Sequence, residues 1–549
     1  MSLNGIKKVR VVIDGNEHLF PVGMTIFEAA ESVGIEIPHY CYHPGLPIAG
    51  ACRMCLVEIE KIPKLQISCY MTVGDGMVIR TNTERVKRAR AAMLEFHLVN
   101  HPLDCPVCDQ AGECGLQIYY MTHGLYISRL LENKVKKTKK AAQIGPHVML
   151  DQERCILCSR CVRFCAEISK SHELGIFERG DYSELDIFPG KQLDNPYSGN
   201  VVDICPVGAL TDRDFRFKTR VWYLEEAESV CPRCANGCNI YIHYNLKRPY
   251  KNDGRRISRL KPRYNSEVND WWICDEGRYC FKFADNDDRL LEPLVRQDSR
   301  TARPGWEETL GRAAERLRAT AAAAKVEVAV LVSPQASNEE LHITKRIFNE
   351  QLPGCGFYFS ALSPFEPTED SLLRKKDKNP NTRGAELMGL SSDSAGVKSL
   401  AELKSAALAG KIGALFIAYH DPPGLPESEN RGWAEAIERI PLIIYQGTNN
   451  TATSRSAHIV LPAATFAERE GTVTNSSSRV QIQRRAFSPA GEALPGWEIM
   501  RCLGEALGGV YRFENAEQVF DDMAQKYPAF AGLDYGKIGS SGIIVTSGK

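Results

Sequence analysis

Residues 7–22 alternate apolar and polar side chains about Asp14-Gly15, the pattern of a β-hairpin. Thr25 then precedes the apolar positions Ile26, Ala29 and Ala30, with Glu28 three residues on, which predicts a helix opened by a capping box. Over residues 83–100 the spacing is helical, with Val86, the Arg90 stem, Met93 and Phe96 roughly along one face. Residues 133–145, NKVKKTKKAAQIG, read as a solvated linker or a partner-facing arm. From about residue 286 the texture changes. Unbroken apolar runs at 327–333, 412–419 and 440–447 are typical of parallel strands covered on both faces, and NEELHITKRIFNEQL follows the first as a helix. The polar, glycine-punctuated stretch 461–481 is expected to be a surface loop. The fold class this predicts is multidomain, α+β first and α/β afterwards.

Composition narrows the field. At 549 residues the chain is too long for one core and should divide into three to five domains. Its 68 basic and 68 acidic side chains cancel, which removes any electrostatic case for nucleic acid or a membrane surface. The apolar runs are too short or broken for a membrane span, and the N-terminus has no secretory or transit pattern. No G-x-G-x-x-G or Walker sequence follows a strand, so dinucleotide binding has no motif support.

The cysteines change the picture most. Of nineteen, only Cys355 and Cys502 lie beyond residue 280. In a reducing compartment such clustering favours metal ligation over disulfides. Cys41, Cys52, Cys55 and Cys69 follow the hairpin and helix, the order of a plant-type ferredoxin, although the first gap is wider than in C-x4-C-x2-C. His101, Cys105, Cys108 and Cys114 form a second set that by itself suits zinc or an iron–sulfur cluster equally. The neighbouring groups favour iron–sulfur. His101 is preferred to His97, one turn earlier, because Pro102 ends the helix and throws the chain toward Cys105. Cys155, Cys158, Cys161 and Cys165 have ferredoxin spacing, yet alanine follows Cys165, whereas Cys205 is followed by Pro206. The third set is therefore closed with Cys205, and Cys165 is left as a buried thiol. The fourth is Cys231, Cys234 and Cys238 with the distant Cys274; Cys280 has no matching partner and reads as structural.

In this order, the four groups closely resemble the family of large iron–sulfur G subunits of respiratory complex I, NADH–quinone oxidoreductase, over essentially the whole chain. LPAATFAEREGTVTN and PGWEIM add a likeness to a shortened molybdopterin-oxidoreductase domain. The resemblance implies a [2Fe–2S] centre on the first group and [4Fe–4S] centres on the other three, the second ligated by His101. It also implies a β-grasp domain over 1–82, iron–sulfur helical and loop domains over 83–145, 146–222 and 223–285, and an α/β scaffold over 286–549 without molybdenum or pterin. The partners implied are a flavin- and NADH-binding subunit, a ferredoxin-like iron–sulfur subunit and other peripheral-arm subunits. The implied location is cytoplasmic, at the inner face of the bacterial cell membrane, with no span of its own.

Such clusters pass single electrons, so the flavin partner must divide the hydride pair, and no catalytic residue is expected on this chain. Other readings are an electron-input or large subunit of an NAD-linked formate dehydrogenase or hydrogenase, and a zinc scaffold.

Overall fold

The computed structural model describes residues 7–178, 180–297, 300–323 and 325–546. They fall into two compact units, Met1–Leu224 and Glu225–Lys549.

In the first unit, strands Lys8–Ile13 and Asn16–Pro21 make the expected hairpin, at one edge of a five-stranded sheet. Met77–Arg80 pairs in parallel with Lys8–Ile13, which closes the β-grasp. Val9, Val11, Ile13 and Phe20 pack under the helix Ile26–Ser32. Glu28 N donates to Thr25 Oγ1 at 3.2 Å while Thr25 N donates to Glu28 Oε2 at 2.9 Å, the predicted capping box. The helix Glu84–Leu98 buries Val86, Arg90 and Leu94, whereas Phe96 is 73% exposed. Phe96 lies about a third of a turn from Arg90, off the face that the i, i+4, i+8 set defines.

The basic stretch 133–145 is not a free linker. Lys134 Nζ donates to the carbonyls of Leu98 and Val99 at 2.7 and 2.9 Å, a cation on the end of a helix. Lys139 pairs with Asp186 at 2.6 Å, Lys140 with Glu153 at 2.7 Å, and Ala142–Gln143 joins a small sheet with Val148–Leu150. Each of these three lysines meets an acceptor that is distant in sequence, so the local pattern could not reveal it.

The second unit opens with an antiparallel sheet, Glu225–Val230, Asn239–Tyr244 and Ile257–Pro262. An eight-stranded sheet follows, whose parallel part runs Ile459–Pro462, Leu442–Gly447, Ile412–Ala418, Glu327–Val332, Gly356–Phe359, Val397–Ser399. Alternate residues of these strands go to opposite cores. Val328, Val330, Phe416 and Ile444 face one, with helices Asn338–Gln351 and Gly496–Ala506. Ala329, Leu331, Leu415 and Ile443 face the other, with Leu400–Leu408 and Trp433–Glu438. Burial on both faces is why these strands lack polar alternation.

The stretch 461–481 corrects the expectation of a surface loop. It supplies the strands Gly471–Thr474 and Arg479–Gln483 and is almost wholly buried. Its polar groups have internal partners: Thr472 N and Oγ1 donate to Glu339 at 2.8 and 2.9 Å, and Thr474 N donates to Asn381 Oδ1 at 2.7 Å. Burial raises the Glu339 carboxyl to about 7. A raised acid contributes stability that is present below its ordinary range, about 4, and lost as pH climbs through 7. The melting temperature of Glu339→Gln relative to wild type should therefore be higher at pH 8 than at pH 5. A pH-independent difference in calorimetry would refute this.

Candidate metal centres

Cys41, Cys52, Cys55 and Cys69 are each at most 5% exposed. The Cys55 and Cys69 sulfurs lie 3.4 Å apart, and Cys41 and Cys52 also share a thiol hydrogen bond. The hydrogen bond within each pair lowers one thiol, Cys41 or Cys55, and raises its partner, Cys52 or Cys69. Each pair therefore contains one sulfur predisposed to the thiolate form that binds metal.

The second group is arranged around the end of the helix Glu84–Leu98. His101 Nδ1 is buried with no hydrogen-bond partner. Burial lowers its pKa to about 4, so the ring is neutral near pH 7 and free to ligate. His97, the rival, is already engaged: its Nε2 lies 3.3 Å from the Cys52 carbonyl and its ring meets Tyr40 edge-on. Cys108 and Cys114 are buried and Cys105 is exposed. A Cβ on Gly208 would fall 2.3 Å from Cys108 Sγ, so the backbone there must come close and only glycine fits.

Cys155, Cys158, Cys161 and Cys205 together line a cavity of about 20 Å³. Burial pushes their thiols up, Cys158 to about 11, so holding thiolates here requires a positive centre to neutralise them. Cys165 does not line this cavity and hydrogen-bonds with Ser169 and Ser171. Arg160 and Arg163, on the turn that carries Cys161, reach across to the carbonyls of Tyr42 and Cys41. They tie the third group to the loop of the first and place positive charge beside both.

One apolar cluster joins the three groups. Cys41, Cys52, Cys114 and Cys158 pack with Tyr40, Met54, Leu94, Leu116, Val207 and Ala209, and Cys155 and Cys205 border them.

In the second unit, Cys231, Cys234 and Cys238 occupy the loop joining Glu225–Val230 to Asn239–Tyr244, with Cys231 N donating to Cys238 O at 2.8 Å. Cys274 caps the short helix Asp275–Arg278, accepting from Gly277 N at 3.4 Å. A Cβ on Gly277 would lie 2.9 Å from Cys231 Sγ and 3.6 Å from Cys274 Sγ, so both sulfurs crowd the same glycine. Sequence reasoning missed how this loop is held. Asn475 Nδ2 donates to Asn236 O at 3.0 Å and Gln481 Nε2 to Gly237 O at 3.0 Å, both from the stretch expected at the surface. Among the described residues no three His, Cys, Asp or Glu side chains converge as a lone metal ion would need.

A Rickettsia conorii protein, named as the G subunit of NADH-quinone oxidoreductase, is 31% identical, aligned over 96% of this chain and 92% of its own length. The chain belongs to the G-subunit family of NADH-quinone oxidoreductase. The Neurospora crassa mitochondrial NADH-ubiquinone oxidoreductase 78 kDa subunit is 30% identical over 96% of this chain and 84% of its own. A chain of an NAD+-reducing [NiFe]-hydrogenase matches 39% of this one at 31% identity, with a TM-score of 0.36. Family models coincide with the groups of the first unit: a 2Fe-2S iron-sulfur cluster binding domain over 6–84, the NADH-ubiquinone oxidoreductase-G iron-sulfur binding region over 90–129, and the NADH-quinone oxidoreductase subunit 3 ferredoxin-like domain over 145–211. Residues 374–506 match the molybdopterin oxidoreductase family. The shortened C-terminal resemblance thus has its counterpart in the doubly wound sheet.

In this member of the G-subunit family a cavity of about 390 Å³ opens at the carboxyl ends of the parallel strands, lined by Ser333, Tyr419, His420 and Thr448 among others. Arg233 and Cys280 also border it, beside the fourth cysteine group.

Gly208→Ala is expected to lower the iron bound per chain by displacing Cys108. Gly305→Ala, where a Cβ meets nothing within 4 Å, should leave it unchanged. Colorimetric iron analysis of the two variants side by side checks this.

Proposed function

We propose that the chain relays single electrons through four iron–sulfur centres, from a flavin subunit toward quinone, as the G subunit of NADH–quinone oxidoreductase. The carrying observation is the apolar cluster shared by thiols of three separate cysteine groups, which gives charge a short, dry route between them. A [2Fe–2S] centre on Cys41, Cys52, Cys55 and Cys69 fits the close thiol pairs. A [4Fe–4S] centre on His101, Cys105, Cys108 and Cys114 fits the orphaned imidazole nitrogen. The third, on Cys155, Cys158, Cys161 and Cys205, fits the cavity those thiols line, and a fourth is assigned to Cys231, Cys234, Cys238 and Cys274.

The bound clusters supply one-electron redox chemistry. The polypeptide shields most of the sulfurs from water, Cys105 being exposed, fixes ligand identity and sets local charge, which together tune each potential. His101 is neutral where a fourth cysteine would be an anion, so its centre should be easier to reduce. The guanidinium groups of Arg160 and Arg163 act in the same direction at the first and third groups.

The five segments 1–82, 83–145, 146–222, 223–285 and 286–549 carry these roles in turn, the last as scaffold without molybdenum or pterin. The proposal includes binding to flavin, ferredoxin-like and other peripheral-arm subunits at the inner face of the bacterial cell membrane. Among the described residues no helix is long and apolar enough to cross a membrane.

The test is electron paramagnetic resonance of the dithionite-reduced chain, with iron counted per chain. Cys205→Ala should lose one four-iron centre and Cys165→Ala none; the reverse result would move the closing ligand to Cys165. His101→Cys should lower the midpoint potential of its centre, whereas His97→Ala should not. An unchanged midpoint in the His101 variant removes that residue from the ligand set.

A further inference from the structure

Cys280 has no role that its spacing assigns, but the fold brings it beside the fourth cysteine group. It opens the turn Cys280–Asp285, immediately after the helix that Cys274 caps, and its side chain hydrogen-bonds with that of Cys231. Every sulfur of the group also has a neutral donor, which for Cys231 is the backbone N–H of Arg233. Asn236 Nδ2 donates to Cys238 Sγ at 3.1 Å, and Gly277 N donates to Cys274 Sγ at 3.4 Å. Cys234 receives backbone N–H groups from Asn236 and Lys375.

We propose that Cys280 is a positioning residue of the fourth centre, donating its S–H to the sulfur of Cys231 and raising that centre's reduction potential. The inference rests on reading Cys231, Cys234, Cys238 and Cys274 as one cluster's ligands. Once Cys231 binds iron as a thiolate it has no proton to give, so the bond can only run from Cys280. A four-iron cube is satisfied by four protein sulfurs, which leaves the fifth as a donor. Reduction adds one electron and hence negative charge to the cluster and its sulfurs. A donor to one of those sulfurs stabilises the reduced form more than the oxidised form. Its position at the wall of the 390 Å³ cavity leaves Cys280 replaceable without cutting into a closed core.

The experiment is a redox titration of the reconstituted full chain followed by electron paramagnetic resonance, with the fourth centre identified as the signal that Cys231→Ala abolishes. Cys280→Ala should keep wild-type iron per chain and shift the midpoint down. Held at the wild-type midpoint, its reduced-to-oxidised ratio should fall about three- to tenfold, the scale of one ordinary hydrogen bond. Cys280→Ser, which restores a donor, should recover the ratio to within about twofold of wild type. Full iron with an unmoved midpoint in Cys280→Ala overturns the inference alone. Loss of one four-iron centre in both Cys280 variants overturns it in favour of Cys280 as a ligand. Equal iron in wild type and Cys231→Ala overturns the four-cysteine reading, and the inference with it.

Discussion

Burial of thiols is the constraint around which the first unit is built. A sulfur anion in an apolar interior is costly unless a cationic centre neutralises it, and water around such a centre would raise the dielectric and quench the tuning of its potential. The chain meets both demands by packing cysteines from three distant stretches against Tyr40, Met54, Leu94, Leu116, Val207 and Ala209. The helix Glu84–Leu98 serves this arrangement twice. Leu94 faces the shared cluster, and the helix end delivers His101 with one ring nitrogen buried and unpartnered.

Charge is placed as deliberately as apolar surface. Arg154 bridges to Asp104 at 2.6 Å just ahead of Cys105, and Arg220 donates to the carbonyls of Cys108 and Pro106 at 2.5 and 2.6 Å. Arg160 and Arg163 do the same between the first and third groups. These guanidinium groups satisfy loop carbonyls that no helix or sheet can pair, so the irregular backbone around the cysteines is hydrogen-bonded. They also set positive charge where thiolates would sit.

The second unit solves a different problem. Its cysteine loop spans a hairpin, and a hairpin loop alone would be mobile. Asn475, Gln481 and Gln483 hold that loop and the strand leading into it through side-chain amides that end on backbone carbonyls. Asn239, at the far end of the loop, accepts from Arg263 and Asn265 and donates to Gln481. The α/β scaffold is therefore part of the cysteine site and not merely joined to it. Amide-rich clamps of this kind look like solvent-facing sequence, which is why the stretch 461–481 misleads a reader of the chain.

Local pattern determined a good deal: the capping box at Thr25 and Glu28, the hairpin at Asp14-Gly15, the doubly buried strands at 327–333, 412–419 and 440–447, and the four cysteine groups with their order. These features are set by neighbours within a few residues, or by spacings that ligand chemistry requires, so they are written in the chain itself. Tertiary structure alone decided what depends on residues far apart. It engaged His97 with Cys52 and left His101 Nδ1 unpartnered, drew Cys165 to serines, pinned the lysines of 133–145, and set Cys280 against Cys231. Apart from the Cys165 contacts, which lie within six residues, those outcomes depend on groups from distant parts of the chain, which no local periodicity encodes.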